Sequence, residues 1–187
     1  MKFYNKVEKY VVETFTKAGK SEQIKHFLRT AHWIKELKTN ADEALLIAAV
    51  AHDIERGFRG DDMFYMKKSK GFTSEEFLRP HQERGAEIIS NFLKEQGADE
   101  KLIKRVKHLV SKHEEGGDND QNLLKDADSI SFFENNVNTF LNKKVKEVGK
   151  EKVKSKFDYM FDRITSDKAK EICRKWYEKA LKNLEVI

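Results

Sequence analysis

The chain has 187 residues, of which 39% are hydrophobic and 37% are charged. Its 13 Phe, 5 Tyr and 2 Trp favour a folded core over global disorder. With one proline and nine glycines, the composition excludes collagen-like and turn-rich all-β classes. The single cysteine, Cys173, excludes an internal disulfide framework and is typical of a reducing compartment.

The charge balance and the apolar segments indicate the kind of partner and the compartment to expect. Basic residues exceed acidic ones by 37 to 32, a net charge of +5 that favours anionic partners without identifying one. No apolar segment precedes Glu8, so no signal peptide is predicted. The longest apolar run, residues 44–51, is far shorter than the roughly 20 residues that span a bilayer. We therefore expect a soluble, cytoplasmic protein with no membrane partner.

Helical spacing of apolar residues predicts the first elements in chain order. Residues 2–17 form one helix, and Ser21 is a candidate N-cap for the next. Asn40 with Glu43 resembles a capping box ahead of residues 44–51. Since that run is apolar all round, the pattern places this third helix at the buried centre of the domain.

The following segment, residues 56–72, is predicted to be a long loop or a partly helical flap. Thr73 with Glu76 forms a candidate capping box, and Pro80 indicates a helix start for a helix that ends at Gly97. Further helices are predicted over residues 102–110, 123–141, 145–164 and 169–184. The fold class is therefore all-α, a compact bundle of roughly seven to nine helices.

A histidine and an aspartate, His52 and Asp53, stand at the end of the apolar third helix. Burying such groups unpaired costs several kcal/mol, so they need partners. A divalent metal satisfies both, because imidazole and carboxylate form a mixed N/O ligand set. The alternative is an ordinary helix end with a salt-bridged Asp53, which the dipeptide taken alone favours.

Two more residues strengthen the metal hypothesis. His26 lies on the preceding helix, and Asp128 follows an alanine 75 residues after Asp53. This ordered set, with the local patterns HFLRTAHWIKEL, ALLIAAVAHDIER and LLKDADSIS, resembles the HD-domain superfamily of metal-dependent phosphohydrolases. The resemblance implies a single HD-like domain over residues 1–187, with a core at about 21–133 and the C-terminal helices 143–187 packed on it.

The resemblance also implies a ligand set for a divalent ion such as Mn²⁺, Mg²⁺ or Fe²⁺. His32 projects about 120° from His26 on a helix, and the resemblance picks His26, which precedes an arginine by three residues, so His32 is assigned to a supporting or surface position. Asp126 projects about 200° from Asp128, and the resemblance picks Asp128, which follows an alanine, so Asp126 is assigned to a cap or the surface. The implied metal ligands are His26, His52, Asp53 and Asp128.

Two other histidines, His81 and His113, resemble those that some HD subfamilies use for a second metal or for the substrate phosphate. The binuclear subfamily that cleaves cyclic dinucleotides has His-His-Glu where this chain has Lys112-His113-Glu114, and its Gly-Tyr-Pro is missing. Because the Lys112 ammonium would repel a second cation, we predict one ion, with His81 and His113 contacting substrate. The alternative is that both are exposed helix histidines.

Glu55 and Arg56 follow His52 by three and four residues, so they project near the same helical face. Arg56 offers a bidentate fork for a phosphate, and Asp53 or Glu55 could orient the attacking water. The predicted catalytic residues are therefore Asp53, Glu55 and Arg56, and the predicted substrate contacts are Arg56, His81 and His113. The nearby Arg59, Lys67, Lys68 and Lys70 could extend a basic rim, but for the three lysines a solvated loop is favoured.

The Lys-rich stretch 143–156 invites a nucleic-acid interpretation, but interleaved acids and the lack of a stacking module favour a solvated amphipathic face. The resemblance predicts a phosphohydrolase that cleaves a phosphate ester or anhydride of a nucleotide or another small phosphorylated molecule through a metal-activated water. One alternative is a non-catalytic HD-like module that senses a nucleotide or docks a partner. Another is an HD-type oxygenase with a di-iron centre. The oligomeric state is not predicted.

Overall fold

A computed structural model describes residues 1–60 and 75–187 of the chain, without the side chains of 75–77. Within these ranges the protein is all-α, which confirms the predicted fold class. The predicted loop beyond residue 60, with Lys67, Lys68 and Lys70, lies outside the described residues, as does the capping box of Thr73 with the Glu76 side chain.

The longer helices of the described residues are numbered in chain order. They are α1 (Lys2–Lys17), α2 (Ile24–Leu37), α3 (Glu43–Ala51), α4 (Glu75–Glu95), α5 (Glu100–Val110), α6 (Asn119–Asn135), α7 (Lys150–Asp162) and α8 (Asp167–Glu185). Short 3-10 turns cover Ser21–Gln23 and Ile54–Gly57, and an irregular helical run with a π-helical centre, Phe140–Lys144, joins α6 to α7. Within the described ranges, none of the helices has the length and apolar character needed to cross a membrane.

Helix α3 occupies the centre of the first core, as its uniformly apolar sequence predicts. Every residue from Ala44 to Ala51 is buried, because helices α1, α2, α5 and α6 pack around it. A second core contains α7, α8 and the end of α6, with Phe133 and Phe157 among its buried residues. Helix α6 therefore contacts both cores, and its two ends connect the N-terminal helices to the C-terminal ones.

The start of α3 differs from the predicted capping box. Its N-cap is Asp42, whose carboxylate accepts a backbone N–H of the first turn, and not Asn40. Glu43 instead reaches the start of α1, where its carboxylate accepts the backbone N–H groups of Phe3 and Tyr4 at 2.8 and 3.0 Å. The carboxylate of Glu43 therefore ties α1 to α3 across the first core.

Three other helix boundaries also differ from prediction. Ser21 begins a 3-10 turn, and α2 starts at Ile24 without a side-chain cap. Pro80 lies inside α4, whose described residues are Glu75–Glu95. The helix predicted over 145–164 is interrupted at Gly149, whose φ of +89° is a conformation that glycine adopts without steric cost. This interruption directs α7 back across the end of α6.

Candidate metal centre

The four predicted metal ligands come together at the junction of three helices. His26 lies on α2, His52 and Asp53 follow α3, and Asp128 lies on α6, and all four are buried. His26 Nε2 lies 3.1 Å from Asp128 Oδ1, and His52 Nε2 lies 3.5 Å from the same oxygen. Ligand atoms of His26, His52 and Asp53 lie within 4.8 Å of one another, a spacing that could hold a metal ion.

Hydrogen bonds fix the orientation of both imidazole rings. His26 Nδ1 lies 2.9 Å from Ser131 Oγ, whose own hydroxyl donates to the His26 carbonyl at 2.7 Å. His52 Nδ1 lies 2.9 Å from the Ala49 carbonyl, which can only accept. In both rings Nδ1 therefore carries a hydrogen, and Nε2 is the atom that faces the carboxylates and is available to a metal ion, as in metal-ligating histidines.

The environment of His52 Nε2 tests whether the site fits a cation. This atom is buried without a well-formed hydrogen bond, 3.7 Å from Asp53 Oδ2 and 3.5 Å from Asp128 Oδ1. A lone pair facing two carboxylates is repulsive unless a proton or a metal ion lies between them. Burial opposes protonation, but Asp53 and Asp128 outweigh it and raise the pKa of His52 to about 9. The donor set therefore fits a divalent ion.

A second group of candidate ligands shares Asp53 with the first. His81, His113 and Asp53 are buried and offer atoms within 4.8 Å of one another. His113 Nδ1 lies 2.8 Å from the Val110 carbonyl, which leaves its Nε2 buried without a hydrogen bond and 3.6 Å from Asp53 Oδ1. His81 Nε2 lies 2.6 Å from the same oxygen. Asp53 thus offers one oxygen to each group.

This second group changes the interpretation of His81 and His113. The alternative of exposed helix histidines is wrong, because His81 and His113 are buried. The side chain of Lys112 is 49% exposed, and its ammonium lies 2.5 Å from Glu115 Oε2. The electrostatic argument against a second cation therefore has no support in the structure. That His81 and His113 contact substrate stays a prediction, and neither is among the described residues that line the cleft at the first group.

Glu55 and Arg56 contact different residues of the site: Glu55 contacts His81 of the second ligand group, and Arg56 contacts Asp53. Glu55 Oε2 lies 2.9 Å from His81 Nδ1 and 3.5 Å from Arg59 Nε, so this buried carboxylate orients the His81 ring. Arg56 Nε lies 3.0 Å from Asp53 Oδ2. Burial would raise the pKa of Asp53, but Arg56 and His52 hold it well below its usual range. Asp53 therefore remains ionised beside both groups.

Arg163, directly after α7, is a site residue that the sequence analysis missed. Its buried guanidinium donates to Asp128 Oδ2 and Glu114 Oε2, and to Ser129 Oγ at 2.9 Å. Burial opposes ionisation of Asp128, but Arg163 and His52 hold its pKa well below the usual value. Arg163 thus fixes one oxygen of Asp128 and directs the other towards His26. No spacing or motif marks this arginine in the sequence.

A cleft of about 400 Å³ reaches the first ligand group. His26, Asp53 and Asp128 line it together with the end of α6, the irregular run after α6, and α7. Lys156 of α7 is buried in this cleft, so the prediction of a solvated face over residues 143–156 is wrong at this position. The basic residues among the described lining are Lys20, Arg56, Arg59, Lys143, Lys144 and Lys156.

Comparison with curated proteins and with solved structures gives no match. A family model does match, and its description is a domain of unknown function, DUF4202. The match runs from residue 7 to residue 184 and therefore includes the buried histidines, the carboxylates and Arg163. The chain belongs to this DUF4202 family.

Proposed function

We propose that this protein is a divalent-metal-dependent phosphohydrolase of the HD type. The observation that carries the proposal is the pair of imidazoles whose Nδ1 atoms are occupied by acceptors and whose Nε2 atoms face buried carboxylates. The order of His26, His52, Asp53 and Asp128 along the chain supports the HD assignment, since it is the pattern by which the sequence resembles that superfamily.

The first ligand group would hold the ion through His26, His52, Asp53 and Asp128. Imidazole with carboxylate suits Mn²⁺, Fe²⁺ or Mg²⁺, whereas a cysteine-ligated zinc site is incompatible with one cysteine in the chain. A divalent ion bound there supplies a water of lowered pKa and polarises a phosphoryl oxygen. Arg163 and Arg56 keep the two carboxylates ionised and oriented for this role.

Residues of the cleft would bind and orient the substrate. Arg56 lines the cleft beside Asp53, and its charge would stabilise the negative charge that develops on a phosphoryl group. The ionised Asp53 could accept a hydrogen bond from the attacking water. Glu55, predicted for that task, is engaged with His81 and Arg59, so we assign it a positioning role.

The size of the cleft supports a small substrate. A volume of about 400 Å³ lies within the usual range for small-molecule sites, about 300–1,000 Å³. Its described lining has six basic and five acidic residues, and a divalent ion held by the first ligand group would add the positive charge that favours an anion. A nucleotide or another small phosphorylated molecule meets both conditions, and we propose this class as the substrate.

Metal-dependent turnover tests the proposal. The protein would be stripped with a chelator, reloaded with Mn²⁺ and assayed with a generic phosphomonoester and a panel of nucleotides. We expect hydrolysis that requires the ion and that His26→Ala abolishes, while the helical circular dichroism is kept. His32→Ala is the matched control, because His32 lies on the same helix α2 outside both ligand groups and should leave turnover unchanged.

Three outcomes would contradict the proposal. Equal metal content in the wild type and in His26→Ala would remove the ligand assignment. Metal binding and nucleotide binding without turnover of any phosphate ester would favour the non-catalytic module instead. An oxidised product that forms only with Fe²⁺ and O₂ would favour the oxygenase, which the sharing of Asp53 by two ligand groups keeps as a second candidate.

A further inference from the structure

A buried lysine lines the cleft without a counter-ion among the described residues. Lys156 on α7 is 7% exposed and shares the cleft with His26 and Asp128. Its ammonium lies 5.1 Å from the ring centroid of Tyr159 and 5.9 Å from that of Phe132, which are cation–π contacts. No carboxylate of the described residues forms an ion pair with it.

The other cations of the cleft are engaged differently. Arg56 pairs with Asp53 at 3.0 Å, and Lys144 pairs with Glu147 at 2.6 Å. The ammonium of Lys20 donates to three backbone carbonyls at the start of the segment after α3. Lys156 therefore differs from these residues, because its buried ammonium has no carboxylate at ion-pair distance among the described residues.

The nearby acids are already committed to another cation. Glu114 and Asp128 each accept from Arg163, which lies one residue beyond α7. Burial lowers the pKa of Lys156 to about 8, and Arg163 and Arg56 add to this effect against the attraction of Glu114. A charge that is buried without a partner is costly, so an anion that entered the cleft would recover part of that cost.

We propose that Lys156 binds a phosphoryl oxygen of the substrate, an inference that rests on the proposed function and specifies its substrate class. Lys156 adds a buried cation to the Arg56 side chain in the cleft, and two cations suit a phosphoryl group with two negative charges. Phosphate monoesters and the terminal phosphates of nucleoside di- and triphosphates carry such a group, whereas a phosphodiester carries one charge. The substrate is therefore a phosphate monoester or a terminal anhydride.

Titration with inorganic phosphate tests this inference without turnover. Binding to the Mn²⁺-loaded protein would be measured by calorimetry for the wild type, Lys156→Met and Lys156→Gln. We expect both variants to bind phosphate at least about tenfold more weakly, which is the loss of one charge-assisted hydrogen bond. Manganese content should not change, and dimethyl phosphate, with one charge, should lose less affinity than phosphate.

Lys152→Met is the matched control, because Lys152 lies one turn earlier on α7, is exposed and does not line the cleft. It should bind phosphate within about twofold of the wild type, since an exposed charge contributes little. In the absence of phosphate, a melting temperature of Lys156→Met that equals or exceeds that of the wild type would show that Lys156 does not stabilise the fold.

The results separate this inference from the proposed function. Phosphate affinity that is retained in both Lys156 variants overturns the inference, whether or not the protein hydrolyses phosphate esters. Phosphate binding that depends on Lys156 in a protein without phosphatase turnover supports the anion site and removes the catalytic proposal. Turnover in the wild type together with unchanged KM and phosphate affinity in Lys156→Met overturns the Lys156 inference and supports the proposed catalytic function.

Discussion

The two sides of the cleft differ in the chemical groups that they present. The ligand side consists of His26, His52, Asp53 and Asp128, where imidazole nitrogens and carboxylate oxygens converge. Each histidine of the ligand side has one nitrogen occupied and one directed inwards. The cationic side consists of Lys156, which lines the cleft, and Arg163, which is not among the described lining residues and pairs with Asp128. This arrangement would place a bound cation and a bound anion side by side, with Arg163 joining the two sides through Asp128.

Removal of the shared ligand should have the largest effect. Asp53→Ala takes one oxygen from each ligand group, so we expect loss of bound metal and of turnover beyond the roughly 10–100-fold that outer partners contribute. Metal analysis and the phosphomonoester assay measure both. The exposed Asp162 at the end of α7 provides the control, and Asp162→Ala should behave as the wild type. An active Asp53→Ala protein with full metal content would refute the ligand side as defined.

Arg163 tests the connection between the two sides. Arg163→Met leaves Asp128 and Glu114 buried without their cation, so the free energy of unfolding should fall by about 3–5 kcal/mol. Urea denaturation of the metal-free protein provides the measurement. Arg174→Met, at an exposed position on α8, should change the same free energy by less than about 0.5 kcal/mol. A similar small change in Arg163→Met would mean that its two ion pairs contribute little.

The number of Mn²⁺ ions bound per chain tests whether the second ligand group also holds a metal ion. The sequence analysis predicts one ion because of Lys112, but that ammonium is bound to Glu115 at the surface. We therefore expect two Mn²⁺ ions per chain at saturation, and one in His113→Ala, since His113 belongs to the second group alone. Elemental analysis and the spin coupling of an Mn²⁺ pair report the count. A wild-type protein that saturates with one ion would restore the original prediction.

His108→Ala serves as the control for that count. His108 is exposed on α5 and lies 2.7 Å from Asp118 Oδ2, outside both ligand groups. The variant should therefore bind the same number of ions as the wild type. A loss of metal in His108→Ala would indicate a fold-wide effect of histidine removal, and the His113 result would then not identify a ligand.

The sequence predicted the ligand side far better than the cationic side. The all-apolar third helix and the chemistry of His52 with Asp53 are local patterns, and the structure confirms that these residues are buried with His26 and Asp128. Arg163 and Lys156 carry no such pattern, because they are two of 37 basic residues and their role depends on residues of α6 that are distant in sequence, Asp128 and Phe132. Packing of α7 on α6 decides which cations are buried.

The N-cap of α3 shows that sequence patterns can also fail to predict contacts between neighbouring residues. Asn40 and Asp42 are both good N-cap residues, and the sequence does not state which one adopts the extended backbone that precedes a helix. Glu43 was predicted to act locally, but its carboxylate accepts hydrogen bonds from residues 40 and 39 positions earlier. Such choices depend on where α1 lies, which is a property of the first core as a whole.

The smallest expected effect is a pH dependence that should differ between the metal-free and the metal-loaded protein. In the metal-free protein burial opposes protonation of His52, but the attraction of Asp53 and Asp128 outweighs it and raises the pKa of His52 to about 9. The pKa of His81 is raised as well, because its hydrogen bonds to Asp53 and Glu55 outweigh burial. Groups with a raised pKa stabilise the fold fully below their unfolded value, near 6.5 for histidine, and lose that contribution as the pH rises.

Stability of the metal-free protein should therefore fall as the pH rises from 6.5 to 8, and the carboxylates do not offset this because their lowered pKa values act at acidic pH. His113, whose pKa burial lowers, has the opposite sign but acts below pH 6.5. Lys156, whose pKa burial lowers to about 8, also has the opposite sign but acts above that pH. Metal binding requires neutral imidazoles, so the apparent affinity for Mn²⁺ should increase over the same pH range. Urea midpoints at about pH 6.5 and 8, with and without chelator, measure both effects. A metal-free midpoint that rises with pH would mean that the His52 imidazole is not held protonated by the ligand side, and the electrostatic contrast between the two sides would then be wrong.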